Sequence, residues 1–227
     1  MKRLHIIAEG QTEEAFVKKT LTEFLGDYNI STDVRCVLTS KDKHRQDIKY
    51  RGGMINYAKA KNDIIQWLKE EQNNNDVRFS SMFDLYALPN DFPGFCIAKK
   101  QVDPYTKVKI LEQAFADDIN DYRFIPYIQL HEFETLLFTY PQKFEIEYIG
   151  NQKGIDILKS IVEEKGNPEL INDGVDTAPS KRIIKVFPDY ANNKPAIGSM
   201  IAHEIGMDCL SKSCKHFAEW VEKLKSI

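Results

Sequence analysis

The sequence is short of the features that announce most functions. Its 4 cysteines in 227 residues, Cys36, Cys96, Cys209 and Cys214, are scattered, so the expectation is a reduced, cytoplasmic chain rather than a disulfide framework. Cys209 and Cys214 have His216 nearby but no second pair, and they read as small core residues rather than zinc ligands. No apolar run approaches the roughly 20 residues a bilayer span requires, and the run before Glu9 is too short for a signal peptide. Neither sign of charge dominates. Against 31 Lys+Arg stand 34 Asp+Glu, a net charge of -3 that excludes nucleic-acid binding by bulk charge but not a local basic rim around an acidic centre. Internal repeats are absent, and the one biased block is Gln72 to Asp76. Also missing are G-x-x-x-x-G-K-[ST], G-x-S-x-G, G-x-G-x-x-G and H-E-x-x-H, so the chain carries no P-loop and no zincin motif.

What is present suits a folded α/β protein. Hydrophobic residues make up 42% of the chain, with 13 Phe and 10 Tyr, enough to exclude disorder as the main state. The opening LHIIA reads as a strand buried on both faces, ending at Glu9-Gly10. Thr12, Glu13 and Glu14 supply a capping hydroxyl and first-turn acids for a helix whose stripe is Val17, Leu21, Phe24 and Leu25. A second strand is expected over 32–38, followed by a basic loop over 40–53. A helix over 56–71 should turn Ala58, Ile65 and Leu68 inward. Phe79 to Tyr86 reads as a strand and 107–118 as a helix; Phe124 to Leu130 reads as a strand that Pro126 places at an edge or kinks. Residues 131–138 look like first helical turns, and further helices are expected over 154–164, from Ser180, and over 214–224. The alternation of strand and helix predicts a mainly parallel sheet flanked by helices, with a helical C-terminal extension beyond a soft boundary near residue 140.

Ligands in such sheets gather beyond the carboxyl ends of the strands. Glu9 stands at the first of these ends and Asp84 at another, with Asp91 in the following loop and His131, Glu132 and Glu134 at the last. Crowded carboxylates repel unless a cation neutralises them, and all-oxygen donors suit Mg²⁺ or Mn²⁺ and phosphoryl chemistry. Each residue also has a plainer reading. Glu9 could serve only the next helix's N-terminus, Asp84 could anchor a loop, Asp91 is ordinary turn chemistry, and His131 with Glu132 and Glu134 could be a cap and solvated acids. Two basic segments could hold phosphates: Arg51 before Gly52-Gly53, and Lys181-Arg182 after Thr177-Ala178-Pro179-Ser180.

Four separated segments, IIAEGQTEEAFV, SMFDLYALPNDFPG, RFIPYIQLHEFETLLF and NPELINDGVDTAPSKRI, resemble the bacterial domain-of-unknown-function family 4276 across most of the chain. The resemblance implies a TOPRIM-like fold and an ATPase partner of the AAA or SMC-like kind, in operons tied to phage defence or abortive infection. It implies that Glu9 is the TOPRIM glutamate, acting as general acid/base or metal ligand, and that Asp84 is the first acid of the Asp-x-Asp pair. Tyr86 stands where the second acid belongs, so Asp91, Glu132 or Glu134 would have to supply the missing ligand. Three functions follow as expectations. The first is a Mg²⁺- or Mn²⁺-dependent nuclease acting on DNA or RNA, with Glu9, Asp84 and His131 catalytic and Lys181, Arg182 and Arg51 on phosphates. The second is a non-catalytic TOPRIM-like binding or sensor subunit of the ATPase complex. The third is a small-molecule phosphohydrolase.

Overall fold

The computed structural model describes residues 1–37, 40–41, 49–50, 56–172, 174 and 176–227. Strand β1 (Lys2–Ala8) is buried from Leu4 onward because it has a parallel neighbour on each side: β2 (Ile30–Cys36) and β5 (Val77–Asp84). Beyond β5 lie two short parallel strands, β6 (Phe124–Ile125) and β7 (Ile128–Gln129), so the path runs β2-β1-β5-β6 with β7 also on β5. The expected kink at Pro126 takes this form: the ring cannot donate to the ladder, and the strand divides around it. A two-stranded antiparallel pair, β3 (Ser40–Lys41) and β4 (Lys49–Tyr50), stands within the expected basic loop. Among the described residues no helix is long and apolar enough to cross a membrane.

Alternation along the strands divides the apolar residues between two faces. Ile7, Val77, Phe79 and Phe83 pack under α3 (Tyr57–Glu70) and α5 (Pro104–Ile119). Leu4, Ile6, Met82 and Tyr127 pack against α1 (Gln11–Phe16) and the C-terminal helices. Those helices, after α4 (Phe95–Ala98), are α6 (Gln152–Lys165), α7 (Pro179–Val186), α8 (Tyr190–Ile205), α9 (Met207–Ser213) and α10 (Lys215–Lys225). Leu4 and Leu224 belong to the same core, so residues on both sides of position 140 share one apolar interior. Trp220 of α10 stacks on Tyr127 at 4.1 Å between centroids and donates its indole N–H to Ser80 Oγ at 2.9 Å. That contact fixes the last helix to the centre of the sheet.

Several local expectations differ. The first helix begins at Gln11, with Gly10 as its N-cap. The Glu13 carboxylate takes the Gly10 N–H at 2.9 Å, so the cap is Glu13 and the Thr12 hydroxyl is not needed for it. Between α1 and α2 (Thr22–Gly26) the chain forms a π turn over Val17–Leu21, and the Thr22 hydroxyl donates to Val17 O at 2.8 Å. In α3 the inward residues are Tyr57, Ala60, Ile64, Trp67 and Leu68, while Ala58 is exposed and Ile65 half-buried. Trp67 sets this phase: its ring meets His5 and Phe79, with centroids at 4.4 and 5.9 Å. Residues 133–139 are helical but of the tighter 3-10 form. α8 carries Pro195 inside it and is kinked at Asn193, which explains why periodicity alone did not reveal it.

Candidate functional site

The parallel register brings the strand ends level. Ala8 lies opposite Met82, so Glu9 emerges beside Asp84, and Asp84 in turn pairs with Gln129, two residues before His131. The result is a cleft of about 320 Å³ whose lining includes Glu9, Gly10, Glu13, Asp84, Glu134 and Lys194. Glu13 was legible in sequence only as a first-turn acid; its position four residues after Glu9 was the available signal. Lys194 and Tyr190 arrive from α8, and nothing local to them marked their role.

Four carboxylates at this rim have named partners within the chain. Glu9 Oε2 accepts the Asp84 N–H at 2.9 Å, tying the end of β1 to the end of β5. Glu13 Oε2 caps Gly10, as described. Glu132 Oε2 accepts the Ser180 N–H at 2.8 Å, an acid at the N-terminus of α7 where the helix dipole favours it. Glu134 Oε1 pairs with Lys194 Nζ at 3.1 Å and accepts the Tyr190 hydroxyl at 3.3 Å. The fifth, Asp84, differs: its Oδ1 is buried and has no hydrogen-bond partner among the described residues.

Crowding in a dry setting shifts the acids. Burial first, then the charge of Glu13 and that of Glu132, push the Glu9 carboxyl up to about 8, with the Asp84 N–H opposing. Burial and the Glu134 charge push Glu13 up to about 7, against its own backbone hydrogen bonding, the Gly10 N–H and Lys194. Asp84 is driven well above the carboxylate range by burial and by Glu13, Glu9, Glu134 and Glu132. Glu134 is raised by burial, with Lys194 opposing. Burial and mutual repulsion therefore favour the protonated form at this rim more than in isolated carboxylates.

Other expected site residues stand elsewhere. Asp91 is absent from the cleft lining; both its oxygens lie 3.2 Å from the Tyr57 N–H, capping α3, so it does not replace the missing second acid. Tyr86 lies in a 3-10 turn over Leu85–Ala87 and donates its N–H to His131 O at 3.2 Å. His131 adopts φ 64°, strained for a residue with a Cβ. Its Nδ1 meets Asn172 Nδ2 at 3.1 Å, its Nε2 is buried with no partner among the described residues, and burial, against a Glu169 backbone contact, lowers the imidazole to about 4, leaving it neutral. Lys181 and Arg182 line a separate groove against α6. Arg51 lies outside the described residues.

Oxygen donors are the right kind for Mg²⁺ or Mn²⁺, and among the five rim acids the buried Asp84 Oδ1 has no partner among the described residues. Yet among the described residues no three His, Cys, Asp or Glu side chains stand where they could hold a metal ion. As placed, the described side chains form no such ligand group, although each of the four partnered acids keeps a second oxygen.

Residues 8–225 match the family described as Domain of unknown function (DUF4276), and the chain belongs to that family. No curated protein matches it. Among solved structures it is similar to the C-terminal region of the Xanthomonas campestris pv. campestris OLD protein. That similarity has a TM-score of 0.43 at 12% identity and covers 100% of this chain and 96% of the other.

Proposed function

We propose that this chain is a non-catalytic, TOPRIM-like binding subunit that works with an ATPase of the AAA or SMC-like kind in phage defence. The observation that carries this reading is the employment of the rim acids. Glu9, Glu13, Glu132 and Glu134 each satisfy a backbone N–H or a lysine of the chain itself. A carboxylate that holds a strand end or a helix start is poorly placed to move toward a substrate phosphate. Tyr86 in place of a second acid supports the same reading. The rim then acts as a rigid staple joining β1, β5, α7 and α8, and binding falls to other surfaces. The family resemblance supports the choice of partner.

A divalent-metal-dependent nuclease is the second reading, favoured by the buried, unpartnered Asp84 Oδ1. One experiment separates the two. Cleavage of a mixed panel of DNA and RNA is measured with Mg²⁺ or Mn²⁺, for wild type and Asp84→Ala, alone and with the co-expressed neighbouring ATPase. The expected result is a stable complex indifferent to Mg²⁺ and no cutting in any arm. Metal-dependent cutting by wild type that disappears in Asp84→Ala overturns the binding reading and establishes the nuclease.

A further inference from the structure

Gly154 sits where α6 passes α7 too closely for any side chain: a Cβ there would lie 2.7 Å from Val186 Cγ1 and 2.9 Å from the Phe187 ring. The close approach leaves a groove of about 500 Å³ on the outer side of the two helices. Its floor is apolar, from Ile157, Ile161 and Val186, and Ile157 is 52% exposed. Its walls are basic. Lys153, Lys181 and Lys185 are exposed and make no ion pair with any described residue, and Arg182 stands beside them with its Nε donating to Thr177 O at 2.7 Å. Asp176 is the one acid among the described lining residues.

We infer that this groove docks an acidic amphipathic helix belonging to a partner protein. The inference rests on the binding-subunit reading and names the surface and the chemistry that reading leaves open. Charge complementarity sets the sign of the occupant, because Lys153, Lys181 and Lys185 outnumber the one acid among the described lining residues. The apolar floor sets its second property, since exposed isoleucine is covered to advantage by leucine-like side chains at helical spacing. The 14 residues of α6 span about 21 Å at 1.5 Å per residue, enough to seat roughly four turns of a partner helix. A nucleotide suits the groove less well. The Ser180 N–H at the start of α7, where a phosphate would seek a helix N-terminus, already holds the Glu132 carboxylate. A nucleic-acid backbone would leave the apolar floor uncovered.

The test is fluorescence anisotropy with the full chain and a labelled synthetic helix of about 18 residues, leucine at i, i+3, i+4 and i+7 and glutamate elsewhere. Comparison arms are a peptide of the same composition in scrambled order, ATP, and a single-stranded oligonucleotide. Lys181→Glu with Lys185→Glu should weaken binding about tenfold or more, rising salt should weaken it too, and Ile157→Ser should cost a similar factor. These positions are exposed, so the variants fold. Equal binding of the scrambled peptide, unchanged affinity in the variants, displacement by ATP or the oligonucleotide, or no binding of the amphipathic helix each overturns the inference. Cleavage activity in the nucleic-acid panel would instead sink the binding-subunit reading and leave the groove result standing.

Discussion

Replacing Glu9 by Gln probes the acidic rim without dismantling it, because the amide oxygen can still accept the Asp84 N–H that Glu9 Oε2 holds at 2.9 Å. The Glu9 carboxyl sits at about 8, raised from its ordinary 4.5 first by burial and then by the Glu13 charge. A folded value above the unfolded one means that the native state binds more protons between these limits. Stability conferred by this group is therefore present at low pH and lost as pH rises from about 4.5 through about 8. At about 1.4 kcal/mol per pH unit, the span between those values sets a ceiling of about 5 kcal/mol. Gln removes the charge but still buries a polar amide, so the recovery should fall short of that ceiling, at ~2–3 kcal/mol. For a chain of this size this is a rise in Tm of about 5–10 °C at alkaline pH. Thermal and urea unfolding of wild type and Glu9→Gln from pH 5 to pH 9 would measure it. Wild type should lose stability across the range, and the variant should match it at pH 5 and exceed it at pH 9. A flat wild-type profile, or a variant less stable than wild type at pH 9, would refute the assignment of repulsion and desolvation to this rim.

Two further changes test the packing that positions the cleft and the groove. Gly154→Ala places a methyl 2.7 Å from Val186 and should cost about 1–3 kcal/mol, read as a lower urea midpoint with unchanged slope. Glu169 is fully buried and accepts the His216 and Phe217 N–H groups at 3.1 Å each and the Tyr105 hydroxyl at 2.9 Å. Glu169→Ala strands those donors at the start of α10 and should cost about 3 kcal/mol or more; a loss under about 1 kcal/mol would show that the helix end is solvated instead.

Much of the architecture could be read locally. The continuous apolar run at Leu4–Ala8, the period-3.6 stripe Val17, Leu21 and Leu25, and the helices expected over 154–164 and 214–224 follow from patterns that short-range sterics and burial impose. Glu9 was legible for the same reason, since the first apolar run stops at it, whereas Asp84 stood inside the strand expected over Phe79 to Tyr86 and proves to be its last residue. The phase of α3 was not, because Trp67 chose its partners across the sheet. The kinked α8 was hidden too, because Pro195 interrupts the pattern that would have marked it.

The sequence by itself determined that the chain folds as parallel strands with covering helices and that acids stand at the strands' carboxyl ends. Those properties depend on neighbours within one or two turns of the backbone. Only the tertiary structure decided what the acids do. The order β2-β1-β5-β6 sets Glu9 beside Asp84, α8 delivers Lys194 to Glu134, and Asp91 is drawn off to cap α3. A carboxylate's proton affinity and its free lone pairs are properties of its surroundings, fixed by burial and by donors far away in sequence. For that reason the residue types that suggest a metal centre in the sequence are found, in the folded chain, hydrogen-bonded or ion-paired to its own elements.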